Sequence, residues 1–480
     1  MTEKKKSGGP KKKVDRTALT ERTIEHALAT GTLKPEQYKL PADHKWNGLW
    51  KVFAGIGGVG LAIAGAGYAT DPKRFAFSYL FAFMGTLMLA IGAMMFTLIQ
   101  HVVSAGWSVV VRRVAEFFSA GSVVFVVLFI PIAMSMSTLY PWLHGDEHHE
   151  TATLAVDHGD ARLAQHDAKP ADGKATDATH AVPAAHSRPS PEAEEHAEIM
   201  HRKTWWLYSS GFLMRAFIYL ILWGVMGTLL LRNSVGQDSS RDMKATVSAA
   251  RLSTLGIPLL ALSLTGAAVD WMMSLEPTWY STIYGVIYFA NSIVGALALF
   301  NVVFHQMHKV ELLKKEVTPE HFHDIGKLMH GFLIFWAYVS FAQYMLIYYA
   351  SIPEETTFYH HRWAHGGDTW RTISLVIVGV RFVVPFFFVL SRNIKRKPEY
   401  LQIGAGIILF MNFVEAYWYV MPYAPNATTA AFTSGIWIDI GCLIGVLSSY
   451  LAVVFWNLSR HPLIPVGDPR LARSLRFQNA

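Results

Sequence analysis

Apolar residues in this chain gather into runs of about twenty. A helix of about 20 apolar residues spans the roughly 30 Å hydrocarbon layer of a bilayer, so runs of this length have one favourable environment. Ten such spans are read at about 50–69, 77–103, 117–138, 204–232, 252–273, 281–304, 327–350, 372–391, 400–421 and 435–456. Of the 480 residues 52% are hydrophobic and only 16% charged, which leaves little polar chain outside the spans.

The charges that do fall inside spans are therefore informative. Arg215 and Arg381 lie in the fourth and eighth spans, Asp270 and Glu415 near the ends of the fifth and ninth, and Asp439 about one turn into the tenth. With the fourth span starting at Thr204, Arg215 is expected roughly 16 Å below its start, close to the bilayer centre. An isolated guanidinium there costs at least about 2.5 kcal/mol, so each charge needs a partner or water. Two readings stand together: a hydrated polar cavity in the periplasmic half, or structural Arg–carboxylate pairs that lock helices.

An Arg-bearing span followed by an acid-bearing span occurs twice, which argues for duplication. Phe96-Thr97-Leu98-Ile99-Gln100-His101 matches Phe300-Asn301-Val302-Val303-Phe304-His305, and the stops at Tyr140-Pro141 and Tyr348–Pro353 follow in the same order. The copies are four spans long and so run in the same direction. The expected fold is an all-α integral membrane protein with ten transmembrane helices: two parallel-related four-helix bundles, spans 2–5 and 6–9, with spans 1 and 10 peripheral.

Short-loop charge sets the expected orientation. Arg112 and Arg113, then Arg232, Arg241, Lys244 and Arg251, then Lys309, Lys314, Lys315 and Lys327, then Arg392, Lys395, Arg396 and Lys397 fall on one side, with the basic N-terminus and Arg470, Arg473 and Arg476. The opposite short loops, 274–280 and 422–434, carry no Lys or Arg. By the positive-inside rule both termini are cytoplasmic. The division is then a basic tail at 1–45, spans 1–3 within 46–143, a His- and acid-rich periplasmic insertion at 144–203 expected to be disordered, spans 4–10 within 204–460, and a cytoplasmic tail at 461–480. The lysine-rich N-terminus has no early apolar core, so no cleavable leader is expected.

Several functions are set aside by composition. The net charge of +7 belongs to a membrane face, and no nucleic-acid binding is expected. The one cysteine, Cys442, is insufficient for a cluster, a zinc site or haem c, and no metal site is expected. The glycines of span 1 read as close helix packing. On span 6, Tyr284, Tyr288, Asn291 and His305 share a face, and span 7 adds His330 and Tyr344; these are assigned to the cytoplasmic half as a proton relay or as interhelical hydrogen bonds.

The ordered set of features resembles NrfD-type (polysulfide-reductase-like) integral membrane subunits, and more closely the ActF-type subunits of alternative complex III. The likeness covers about residues 46–460. It rests on the ten-span layout, the paired bundles, Gly85-Thr86-Leu87-Met88-Leu89-Ala90-Ile91-Gly92 with the Gln100-His101 ending, and the Arg and acid positions. It implies a subunit of a quinol:electron-acceptor oxidoreductase of a respiratory or photosynthetic chain in the bacterial inner membrane. The implied partners are lipid, a sister NrfD-like subunit, an iron–sulfur subunit related to molybdopterin enzymes, and c-type cytochromes. Haem c and iron–sulfur clusters would sit in those partners, and menaquinone or another quinone would be the substrate. The sister subunit would be the main quinol binder, with this copy bracing the complex, conducting protons or contributing to quinol binding. The long insertion departs from the family's compact bundle entrance. A proton- or ion-coupled transporter and a purely structural scaffold are the competing functions.

Overall fold

The computed structural model describes residues 34–143, 198–363, 367–424 and 429–478. Ten helices are long and apolar enough to cross a membrane: α1 (Lys45–Thr70), α2 (Pro72–Val102), α3 (Val109–Met134), α4 (Ser209–Ser240), α5 (Met243–Leu275), α6 (Tyr284–Lys309), α7 (Pro319–Ala350), α8 (Thr369–Leu390), α9 (Pro398–Tyr423) and α10 (Ser434–Arg460). No strand occurs among the described residues. The protein is an all-α multi-pass membrane protein, and its outward side chains fit lipid: Leu262, Leu346, Phe387 and Phe410 are all more than half exposed.

Local chemistry sets where several helices begin. Asp71 accepts a hydrogen bond from the Arg74 amide at 2.9 Å, with Pro72 in the first turn of α2. Asp242 caps α5 through the Lys244 amide. Thr318 and His321 close a reciprocal capping box at the start of α7. Three helices overrun their apolar runs on the face where α1 starts and α10 ends, here the terminal face. α4 continues to Ser240, α5 begins at Met243 and α7 at Pro319, extensions of about 12–14 Å beyond the sequence-based boundaries. Arg251, expected in a loop, and Arg232 and Lys327, expected at span ends, therefore sit within helices.

Start positions at the opposite face differ too. α4 begins at Ser209, because residues 204–206 form turns. Arg215 is thus only about 9 Å into its helix, where about 16 Å was expected. Much of the 144–203 insertion, residues 144–197, lies outside the described residues; residues 198–203 are helical where disorder was expected.

Helices α2–α5 pack as one four-helix bundle and α6–α9 as a second, each closed by contact of its first and last members. Contacts between the bundles follow the same symmetry: α2 meets α6, α5 meets α6, and α9 meets α2. Adding 204 to a position in α2 gives its counterpart in α6, and counterparts touch at successive levels. The Tyr288 hydroxyl donates to the Met84 carbonyl at 2.9 Å. A Cβ built on Gly92 would lie 2.7 Å from Ala296 Cβ. The Phe96 and Phe300 rings meet edge to face at 5.3 Å. Matched contacts at several depths require an axis along the helices, which makes the repeats parallel; inverted copies would match at one level only.

This axis explains the burial. The apolar windows of α2 and α6 are 94% and 83% buried, against 22% for α1 and α8 and 28% for α7. The central pair is covered on all sides, and the outer helices face lipid. α10 lies between α1 and α2, and α1 is outermost. The α1 glycines divide by face: Gly57, Gly60 and Gly67 abut α10, while Gly55, Gly58 and Gly65 have no neighbouring heavy atom within 4 Å of a built Cβ. At Gly60 such a Cβ would come within 2.4 Å of the Gly445 backbone nitrogen, so only paired glycines allow this approach.

The three intramembrane prolines have three outcomes. Pro258 sits in an uninterrupted α5. α3 passes into a 3-10 stretch at Gly121–Val124 and continues past Pro131 as short helical pieces. Before Pro385, α8 widens into a π-helical segment, Ile377–Val383, in which the Val384 amide reaches Gly379 O, five residues back.

Candidate functional site

Each bundle buries one Arg–carboxylate pair in the half near the opposite face, and each pair is joined by an indole. In the first bundle Arg215 on α4 meets Asp270 on α5, with Nε to Oδ2 at 2.9 Å and Nη2 to Oδ1 at 3.0 Å. Trp206 Nε1 donates to Asp270 Oδ1 at 2.7 Å, and the Tyr219 hydroxyl to Oδ2 at 3.3 Å. The guanidinium carbon lies 4.1 Å from the centre of the Trp206 ring. Four donors thus hold the Asp270 carboxylate, which is 0% exposed.

In the second bundle Arg381 on α8 meets Glu415 on α9, with Nε to Oε2 at 2.8 Å. Trp336 on α7 donates to Glu415 Oε1 at 2.9 Å and lies 4.6 Å beneath the guanidinium. The components match the first node, but the indole comes from a different element. Arg381 Nη2 also donates to Asn291 Oδ1 on α6. Arg–acid pairing is therefore within each bundle, not across them.

Satisfaction of the two nodes differs. Among the described residues, Arg381 Nη1, Asn291 Nδ2 and Asn412 Oδ1 have no hydrogen-bond partner, and the Arg381–Glu415 contact does not align an N–H with Oε2. Arg381 and Asn291 are 0% exposed, as is Asn412, whose Nδ2 reaches only Met88 Sδ at 3.6 Å. An unsatisfied buried polar group costs about 1–3 kcal/mol. No atom of the Arg215–Asp270 pair is left in that condition.

A roof of aromatic side chains covers the second node. Trp279 stacks on Phe358 at 4.5 Å and meets Tyr284 edge-on at 5.7 Å, and Tyr284 meets Tyr419 at 5.5 Å. Arg362, on the linking helix Pro353–Trp363, is 0% exposed and pins this roof. It donates to Trp418 O at 3.3 Å and Tyr419 O at 3.2 Å in the last turns of α9, where a cation complements the helix dipole. Its guanidinium packs on the Phe358 and Trp418 rings.

Asp439 belongs to neither node. Arg74 on α2 donates to it through Nε at 3.1 Å, and the Tyr417 hydroxyl donates at 2.8 Å. This set clamps α10 to α2 and α9. Arg74 escaped the sequence reading because span 2 was started at 77; the Asp71-Pro72 helix start was the available signal.

Other expected site residues are redistributed by helix direction. Tyr284, Tyr288 and Asn291 lie in the first two turns of α6, which puts them in the half of Arg381 and Glu415 and not in the half of His305. Tyr344 likewise lies toward the opposite-face end of α7, stacked on Tyr348 at 5.8 Å. His305 is buried at the other end of α6, with neither ring nitrogen partnered among the described residues. His330 stacks on Phe386 at 5.1 Å. The buried Val294, Leu297 and Ala298 fall between Asn291 and Asn301, so the expected Tyr–Asn–His stripe is interrupted by apolar packing.

The terminal face holds a second polar cluster. Arg112 and Arg113, expected as loop charges, lie inside α3 and are at most 1% exposed. Arg112 bonds Glu116 at 3.0 Å and Asp468 at 2.7 Å; Arg113 makes two bonds to Asp238, at 2.9 and 3.0 Å. The segment 461–478, within the expected tail at 461–480, packs against this end with Leu463, Ile464 and Leu471 buried. The Leu463 amide also donates to Tyr38 O at 2.9 Å, and Tyr38 and Leu40 are buried, so part of the N-terminal segment packs here too. Burial would raise the Asp468 carboxyl, but hydrogen bonds from Arg470 and the charges of Arg112 and Arg470 outweigh it and hold it well below the ordinary carboxylate range.

Among the described residues no group of three or more His, Cys, Asp or Glu side chains is placed to hold a metal ion. Compared with known proteins, the chain matches no family model and no curated protein sequence.

Proposed function

We propose that this chain is a membrane subunit of a quinol:electron-acceptor oxidoreductase complex, seated in a bacterial cytoplasmic membrane with both termini inside. The observation that carries the reading is the pair of parallel-related four-helix bundles, each with a buried Arg–carboxylate–indole node in the half near the opposite face. Intramembrane ionisable groups held this way accompany proton or substrate chemistry. In this reading haem c and iron–sulfur clusters reside in partner subunits: c-type cytochromes and an iron–sulfur protein related to molybdopterin enzymes. A sister NrfD-like subunit shares the membrane, and menaquinone or another quinone is the substrate of the assembly. This chain braces the complex and carries protons.

Surface chemistry supports a docking role at the opposite face. Trp205, Tyr280, Tyr348 and Tyr349 are exposed there, and aromatic residues are favoured both at membrane interfaces and in protein contacts. Purification of the tagged chain from its own membranes in mild detergent tests the proposal. Co-purifying haem c absorbance, an iron–sulfur EPR signal and quinol oxidation are the expected results. A chain that purifies alone and supports substrate uptake in vesicles would overturn it in favour of a transporter.

A further inference from the structure

We infer that the Arg381–Glu415 node of the second bundle is an internal water-binding site, whereas the Arg215–Asp270 node is a structural clamp saturated by its own hydrogen bonds. The inference stands on side-chain geometry and holds whichever complex the chain joins.

Two buried donors, Arg381 Nη1 and Asn291 Nδ2, and one buried acceptor, Asn412 Oδ1, are unpartnered among the described residues. Glu415 Oε2 adds an acceptor whose contact with Arg381 is misaligned. A buried water is held by two to four polar partners, and this set supplies donors and acceptors together. The Asn291 amide orientation is fixed, because its oxygen accepts from Arg381. At Asn412 the weak contact to Met88 sulfur leaves one amide atom unpartnered in either orientation.

Backbone features place these groups together. Asn412 lies three residues before Glu415, on the same side of α9. Gly295, one turn beyond Asn291, has no side chain where α6 faces Asn412: a Cβ there would lie 2.8 Å from Asn412 Oδ1. Arg381 lies within the π-helical segment of α8, a distortion frequent at functional sites. The first node lacks the helix distortion: its Arg215 lies in regular α-helix, and Asp270 takes four donors.

The aromatic roof separates the second node from the opposite face, so water there exchanges through the bundle and not from an open cleft. Such water gives Glu415 a route for proton exchange that Asp270 lacks. The two acids of the duplication have therefore diverged, one to exchange and one to hold.

Radiolytic hydroxyl labelling with mass spectrometry tests this on the full chain in nanodiscs, since bound water generates label on side chains that bulk solvent cannot reach. Trp336 is 4% exposed and Met88 0%; Trp223, stacked on Tyr219 of the first node with its Nε1 donating to Ser263 Oγ at 2.9 Å, is 1%. Several-fold greater labelling of Trp336 and Met88 than of Trp223 and the buried Met84 is expected. Asn412→Leu should reduce the Trp336 and Met88 labelling toward the level of those controls. Labelling of the wild-type chain at Trp336 and Met88 no greater than at Trp223 and Met84 would overturn the inference without reference to any variant.

Discussion

Phe96 and Phe300 occupy equivalent positions in the two halves of the chain, and their rings meet edge to face at 5.3 Å on the axis relating those halves. The same axis brings Gly92 to α6 so closely that an added Cβ would fall 1.9 Å from the Ser292 carbonyl oxygen. That oxygen is backbone and cannot rotate away. Gly92→Ala should therefore force α2 and α6 apart and cost about 1–3 kcal/mol, the usual range for overpacking. Thermal unfolding of the purified protein should show a clear fall in Tm. Gly58→Ala, on the open side of α1, should leave Tm unchanged or slightly raised. Equal effects of the two changes would contradict the close contact at the axis.

Asp270→Asn and Glu415→Gln should behave differently. Asp270 is held by four donors, and neutralising it leaves Arg215 without its ion pair; a loss of about 3–5 kcal/mol is expected for a broken buried pair. Poor accumulation of the variant in membranes is the readout. In Glu415→Gln the amide oxygen can still accept from Trp336, Arg381 keeps its bond to Asn291 Oδ1, and the inferred water can take its freed N–H, so assembly should persist. Proton translocation or turnover should fall about tenfold or more, equivalent to about 1.4 kcal/mol. Unchanged translocation and turnover in a fully assembled Glu415→Gln complex would remove Glu415 from the proton route.

The terminal-face cluster should be sensitive to acid. The folded-state carboxyl of Asp468 is depressed, so the stability it contributes is present above its ordinary value of 3.8 and is lost as pH falls below that toward the folded value. Asp468→Asn should lower Tm at neutral pH, and the gap from wild type should narrow as pH drops below about 4. A gap independent of pH would assign the effect to packing alone. Ending the chain at Arg460 should be at least as damaging, because Leu463, Ile464 and Leu471 would leave their buried sites.

Orientation is accessible by thiol labelling, since the native Cys442 is buried and contributes little background. In the proposed arrangement Ser187→Cys reacts with an impermeant maleimide in intact cells and Ser391→Cys does so only after lysis. The reverse pattern would invert the membrane assignment.

Ten spans, their alternation and the parallel duplication follow from the sequence because they depend on run length, charge position and order, which are properties of the chain read in one dimension. Arg215, Asp270, Arg381 and Glu415 stand out for the same reason: a charge in an apolar run is conspicuous wherever it packs. Partner choice is different. Trp206 and Trp336 reach equivalent carboxylates from unrelated points in the chain, and Asp468 meets Arg112 across 356 residues. No periodicity encodes such contacts, which arise only when helices close into bundles. Position along each helix also needed the tertiary structure. A few residues' shift in where α4 begins moved Arg215 by a turn or more, and the direction of α6 put Tyr284 and Asn291 beside Arg381. The difference between a saturated Asp270 and an underfilled Glu415 is set by side-chain geometry at the scale of one hydrogen bond.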